Sequence, residues 1–210
     1  MLGAAFYNPT WIEKDHLIRL QDGSRIKIRS YTPIRLRQNS APVMVLIHGG
    51  GSIMGDLDTA SFTCRLFVVK LGLVVFTVDY RLCPEVQAEV PALDVFCAVE
   101  WVAANAHICG GDLSQGFVIG GSSSGGCLAV IALIRTKEES LGNRISGCFL
   151  SCPIFFTLSE DERDEIVFTF EHDVSNLMTH GSLVGDDRSR IRTLFSSDRP
   201  YWKELTCMQA

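Results

Sequence analysis

Four short, uninterrupted apolar runs constrain this chain more than any other feature. Residues 43–47, 73–78, 117–119 and 148–150 carry almost no polar side chains. As strands they would bury both faces, the condition of parallel strands covered by helices. Between the runs the apolar spacing changes to three and four residues. Residues 59–71, 88–104 and 128–134 therefore read as helices, the last directly after a glycine-serine turn. Strand, helix, strand in repetition is the mark of an α/β fold with helices on both faces of the sheet. Ahead of this core, residues 16–20 and 25–31 alternate polar and apolar around Asp22-Gly23, a hairpin signal. The expected sheet is mostly parallel, with an antiparallel hairpin at its N-terminal side.

The 210 residues suffice for one domain with its own core. We expect a single domain over residues 1–210, with a recognisable core at 16–153 and a divergent tail at 154–210. The charge run at 159–165 in that tail reads as a solvated helix start. A net charge of −5 argues against nucleic acid or an anionic membrane as partner, because either needs a basic surface. The eight cysteines are scattered without a C-x-x-C pair and read as buried, reduced thiols. The five histidines do not join them at ligand spacing, so no metal is expected. Met1-Leu2-Gly3-Ala4-Ala5-Phe6 does not form a signal peptide, and the longest apolar stretch, near residues 71–76, is too short for a bilayer. The closing Cys207-Met208-Gln209-Ala210 only loosely matches a prenylation box. A cytoplasmic protein without membrane partners is the expectation.

Two glycine-rich segments carry the chemistry. Gly121-Ser122-Ser123-Ser124-Gly125 lies between the apolar run at 117–119 and a helix. This G-x-S-x-G context lifts the central Ser123 on a sharp strand-to-helix turn, where a base can reach its hydroxyl. The N–H of Ser124, at the helix start, would face a developing oxyanion with the helix dipole behind it. The other reading is a plain glycine-serine turn. His48-Gly49-Gly50-Gly51 follows the run at 43–47, where the carboxyl edge of a sheet collects ligands. Its glycines leave backbone N–H groups unobstructed, as an oxyanion hole requires. A phosphate loop is the competing reading, and it fails because neither G-x-x-x-x-G-K-[ST] nor G-x-G-x-x-G follows. His48 reads as an anchor of this loop, on the wrong side of the serine to be its base.

The segments at residues 48–56, Asp79-Tyr80-Arg81-Leu82-Cys83-Pro84-Glu85 and residues 120–126 together resemble the hormone-sensitive-lipase-like esterases. These are α/β hydrolases with HGGG, DYRLAPE and GDSAGG-type motifs. The likeness spans roughly residues 16–153. Cys83 stands where alanine is usual, and Ser122 and Ser124 replace the Asp and Ala beside the nucleophile. The resemblance implies that Ser123 is the nucleophile, that Gly50, Gly51 and Ser124 form the oxyanion hole, and that Gly49 shapes its loop. The stretch from Arg81 to Glu85 is taken as structural.

In that family the catalytic acid sits in an Asp-Pro-Leu-x-Asp-like segment and the histidine before a Gly-Phe; neither occurs in this sequence. The late histidines are His172 and His180, with Asp161, Asp164, Asp173, Asp186 and Asp187 nearby. His180-Gly181 makes His180 the candidate base, against a surface histidine. The resemblance implies that the family's last strands are missing, leaving the strand near 148–150 as a sheet edge open to self-association. Three functions stay open. One is a serine esterase or deacylase for a small or medium acyl ester, such as an acylated intermediate of secondary metabolism, with no cofactor. The others are a non-catalytic ligand-binding module and an inactive truncated hydrolase remnant.

Overall fold

The hairpin is built first in the chain, and its turn shows why. In the computed structural model, which describes residues 10–36, 40–138 and 145–153, β1 (Trp11–Arg19) and β2 (Arg25–Pro33) pair antiparallel with His16 opposite Ile28. Asp22 Oδ1 accepts the Ser24 N–H at 2.9 Å, and Gly23 takes a φ of 84° that favours glycine. Strand β1 starts at Trp11, earlier than the alternation from residue 16 indicates. Its first half is largely exposed and held by the ladder and by ion pairs. Arg29 binds Asp15, and Arg65 binds Glu13 at 2.7 Å.

The apolar runs become β3 (Val43–Ile47), β4 (Val74–Asp79), β5 (Phe117–Ser122) and β6 (Gly147–Ser151). The helices are α1 (Ser61–Leu71), α2 (Val90–Asn105) and α3 (Ser124–Glu138). The sheet order is β1-β2-β4-β3-β5-β6, antiparallel from β1 to β4 and parallel from β4 to β6. Chain direction reverses from β3→β4 to β4→β5. Right-handed crossovers therefore send α1 to one face and α2 and α3 to the other. Under α1, Cys64 and Val68 bury against Tyr31, Met44, Leu46 and Val75. The alternate positions Val43, Val45, Ile47 and Phe76 are also fully buried, facing the other helices. Arg135 of α3 stacks over the Phe96 ring of α2, 4.4 Å from its centroid.

Two expectations need correction. The run at 148–150 is not buried on both faces: in β6 only Leu150 is buried, and Phe149 is partly exposed. Among the described strands β6 is terminal, so its outer side has no sheet neighbour to cover it. No disulfide joins the described cysteines, but among them only Cys64 is fully buried and Cys152 is exposed. The helical run Val90–Cys109, interrupted by Asp94 and Glu100, is long and apolar enough to cross a bilayer by length and composition alone. It is the core helix of this unit, packed on β3, β4 and α3, with Asp94 inside it paired to Arg81. The described elements all lie within the contact unit Met1–Pro153.

Candidate functional site

Strand β5 ends at Ser122 and helix α3 begins at Ser124, so Ser123 alone makes the turn. Its φ is 53°, a left-handed value that a non-glycine residue adopts at a cost. Two bonds hold it there. The Ser123 N–H donates to the Ser151 carbonyl at 2.9 Å, and its own carbonyl accepts the Gly126 N–H at 3.0 Å. The flanking glycines are demanded by close approach. A Cβ on Gly121 would stand 2.2 Å from the Gly125 carbonyl oxygen, and one on Gly125 would stand 2.3 Å from that of His48. Ser122 is exposed, Ser123 half-buried and Ser124 buried.

The glycine loop leaves the end of β3 and lies against this turn. A Cβ on Gly49 would be 3.1 Å from Ser123 Cβ. Gly50 and Gly51 take φ values of 125° and 65°, and Ser52 follows at 59°. The Gly50 carbonyl accepts both the Ile53 and Met54 N–H groups at 3.1 Å, closing the loop on itself. Among the described residues, no hydrogen bond engages the N–H groups of Gly50, Gly51 or Ser124. Gly49 thus lies beside Ser123, with Gly50 and Gly51 following it in the loop and Ser124 next to Ser123 at the start of α3. His180, His172 and the late aspartates lie outside the described residues. No group of three His, Cys, Asp or Glu side chains able to hold a metal occurs among the described residues.

His48 is an anchor, as its position implies. It is 1% exposed, and its Nδ1–H donates to the Gly49 carbonyl at 2.8 Å. Its ring stacks on Tyr80 with centroids 4.2 Å apart and planes 12° from parallel. Burial pushes its pKa below the ordinary 6.5, opposed by the Gly49 carbonyl and by the charges of Asp79 and Asp56. His16 shifts the same way, from burial first and Lys14 second. Below about pH 6.5 the unfolded chain takes up protons that these folded imidazoles refuse, so stability falls as pH drops. We expect the urea midpoint to decline from neutral pH to about pH 5.5, and His16→Gln to remove only part of that slope. His48, buried and shifted the same way, contributes to the remainder.

Tyr80 is the residue that sequence reasoning missed. Its hydroxyl donates to the His48 carbonyl at 3.0 Å. Burial raises the phenol pKa to about 12, countered in part by the neighbouring Ser124 and Ser52 hydroxyls. Its place in the Asp79–Glu85 segment marked it in the sequence without indicating what it holds. The next residue, Arg81, is structural as expected. It holds the fully buried Asp94 through Nη2 at 2.7 Å and Nε at 2.9 Å, and reaches Asp22 of the hairpin turn at 2.8 Å.

Residues 44–196 match the family model described as the alpha/beta hydrolase fold. Esterase LipI of Mycobacterium tuberculosis is 40% identical over 48% of this chain and 31% of its own length. Versiconal hemiacetal acetate esterase of Dothistroma septosporum is 36% identical over 63% of this chain and 40% of its own. Among solved structures, vibralactone cyclase superposes with a TM-score of 0.70 at 26% identity, covering 79% of this chain and 50% of that one. A bacterial heroin esterase gives 0.65 at 30% identity, covering 70% and 45%. The chain spans less than half the length of these curated relatives and about half that of the solved ones. With the fold, the serine turn and the glycine loop in place, the chain belongs to the α/β hydrolase fold family, in its hormone-sensitive-lipase-like branch.

Proposed function

We propose that the protein is a carboxylic ester hydrolase with Ser123 as its nucleophile. The observation that carries this reading is the strained turn at Ser123, with φ 53°, set against a loop that offers unbonded N–H groups. Strain of this kind persists where surrounding contacts impose it, and it clusters at reactive groups. Ser123 Oγ adds to the ester carbonyl carbon while its proton passes to a base, for which His180 is the candidate. The N–H groups of Gly50, Gly51 and Ser124 receive the oxyanion, with Gly49 shaping the approach. The C–O bond to the alcohol then breaks, and the alcohol leaves with the proton. Water next attacks the acyl-serine, giving up a proton to the same base, and frees the acid and the serine hydroxyl.

The substrate class of this reading is a small or medium acyl ester, with an acylated secondary-metabolite intermediate as the specific candidate. The likeness to versiconal hemiacetal acetate esterase, whose name specifies an acetate ester, supports it. The reading also makes the protein cytoplasmic, with self-association through the exposed side of β6; gel filtration across a concentration series tests the latter.

The decisive experiment is labelling of the purified chain with a fluorophosphonate. Wild type is expected to label and Ser123→Ala is not. His180→Ala should slow labelling by about 10²–10⁴-fold, the usual worth of a general base. A folded protein that takes no label overturns the esterase reading and leaves a ligand-binding module or an inactive hydrolase remnant.

A further inference from the structure

Three successive peptide planes in the glycine loop are each pinned by their carbonyl oxygen. The His48 carbonyl accepts the Tyr80 hydroxyl at 3.0 Å. The Gly49 carbonyl accepts the His48 Nδ1–H at 2.8 Å. The Gly50 carbonyl accepts the Ile53 and Met54 N–H groups at 3.1 Å. A trans peptide is rigid, and its N–H points opposite to its C=O. Fixing the carbonyls of residues 48, 49 and 50 therefore aims the N–H groups of Gly49, Gly50 and Gly51. Two of those three pins lead back to one side chain. Tyr80 bonds the His48 carbonyl directly, and its ring stacks on the imidazole that bonds the Gly49 carbonyl.

We propose that Tyr80 is the positioning residue of the glycine loop, holding His48 at carbonyl and ring and thereby aiming the Gly49 and Gly50 N–H groups at the Ser123 turn. Its catalytic consequence rests on the esterase reading; its structural consequence does not. Tyr80 acts through His48, and its hydroxyl also neighbours those of Ser124 and Ser52. The His48 ring depends on this brace because it is buried, while its Nε2 has no hydrogen-bond partner among the described residues. A single ring nitrogen bonded to the adjacent carbonyl cannot fix the imidazole against rotation, whereas a stacked aromatic face can. Gly125 completes the clamp, leaving no room for a Cβ beside the same His48 carbonyl.

Two substitutions divide the roles. Tyr80→Phe removes the hydroxyl and keeps the stacked ring; Tyr80→Leu removes both. We expect kcat to fall about tenfold in Tyr80→Phe and about 10²-fold in Tyr80→Leu, with KM within about twofold, since misaimed donors weaken the transition state more than substrate binding. The His48 Nδ1–H resonance in the NMR spectrum is expected to persist in Tyr80→Phe and vanish in Tyr80→Leu, while β3 and β4 amides keep their exchange protection. An unchanged kcat in both variants of an active enzyme overturns the proposal. So does a retained Nδ1–H in Tyr80→Leu, or a loss of protection spread through the sheet. If wild type carries no fluorophosphonate label, the esterase reading falls alone, and the His48 resonance still decides whether Tyr80 holds the loop.

Discussion

On the esterase reading, Gly50→Ala is expected to lower turnover by about 10²–10³-fold while leaving most of the fold standing, because it distorts the loop proposed to hold the oxyanion at its tightest point. A Cβ at position 50 would lie 2.0 Å from the Met54 carbonyl oxygen and 3.1 Å from Met54 Cγ. The closer approach cannot be relieved by a side-chain rotation, since that atom is backbone. The φ of 125° adds strain, because L side chains rarely adopt it. The loop must therefore open, and the Gly50 N–H turns with it. Gly51→Ala supplies the contrast. Its φ of 65° lies in the left-handed well, and the nearest atom to a new Cβ is Ile53 Cγ1 at 3.5 Å. That strain is about 1–2 kcal/mol, and the N–H keeps its direction, so a loss of activity below about tenfold is expected. Gly23→Ala, at the hairpin turn with open space around it, should not alter turnover at all. Initial rates on a short-chain p-nitrophenyl ester give the ranking. If the Gly50 and Gly51 variants lose activity equally, the loop does not work through aimed N–H groups.

What the sequence disclosed follows the forces that built each part. Strand β3 matches its apolar run residue for residue, because all five side chains are buried and each had to be apolar. The glycines of the two motifs were equally legible, since close backbone approach tolerates nothing larger at positions 50, 121 and 125. By contrast, the first half of β1 is secured by hydrogen bonds to β2 and by ion pairs at its surface, which leave no hydrophobic period to read. Helix α1 starts at Ser61 instead of 59 because Asp56 Oδ1 accepts the N–H groups of Asp58 and Thr59, making a turn first. The role of Tyr80 was hidden for a third reason. Its partner is a backbone carbonyl 32 residues away, and the pairing depends on the parallel register of β3 and β4. No local pattern encodes such a contact.

The largest loss of stability should come from Arg81→Met, and the reason lies in what it leaves behind. Asp94 is completely buried in α2, and Arg81 is its charged partner through two guanidinium nitrogens. Removing one member of a buried pair strands the other charge, which costs about 3–5 kcal/mol. Only the Arg81 backbone N–H, at 3.0 Å from Asp94 Oδ2, would remain to satisfy it. The link to Asp22 is different in kind. It lies at the surface, so Asp22→Asn at that contact should cost about 0–1 kcal/mol. The Asp22 carboxyl is held down at about 2, chiefly by the Ser24 hydroxyl and N–H, so what it contributes is lost only as pH falls from its ordinary 3.8 toward that value. Urea titrations of Arg81→Met, Asp22→Asn and Arg81→Met/Asp94→Leu separate these terms. The double variant removes both charges and should recover a substantial part of the single variant's loss. Activity should follow a different order. Arg81 fixes the chain between Tyr80, which holds the glycine loop, and Cys83, whose N–H donates to the Ser52 carbonyl at 2.8 Å. An apolar pair can restore the stability of that connection without restoring its aim. A double variant that folds like wild type yet hydrolyses esters more slowly would show that the buried ion pair positions the loop as well as stabilising the fold.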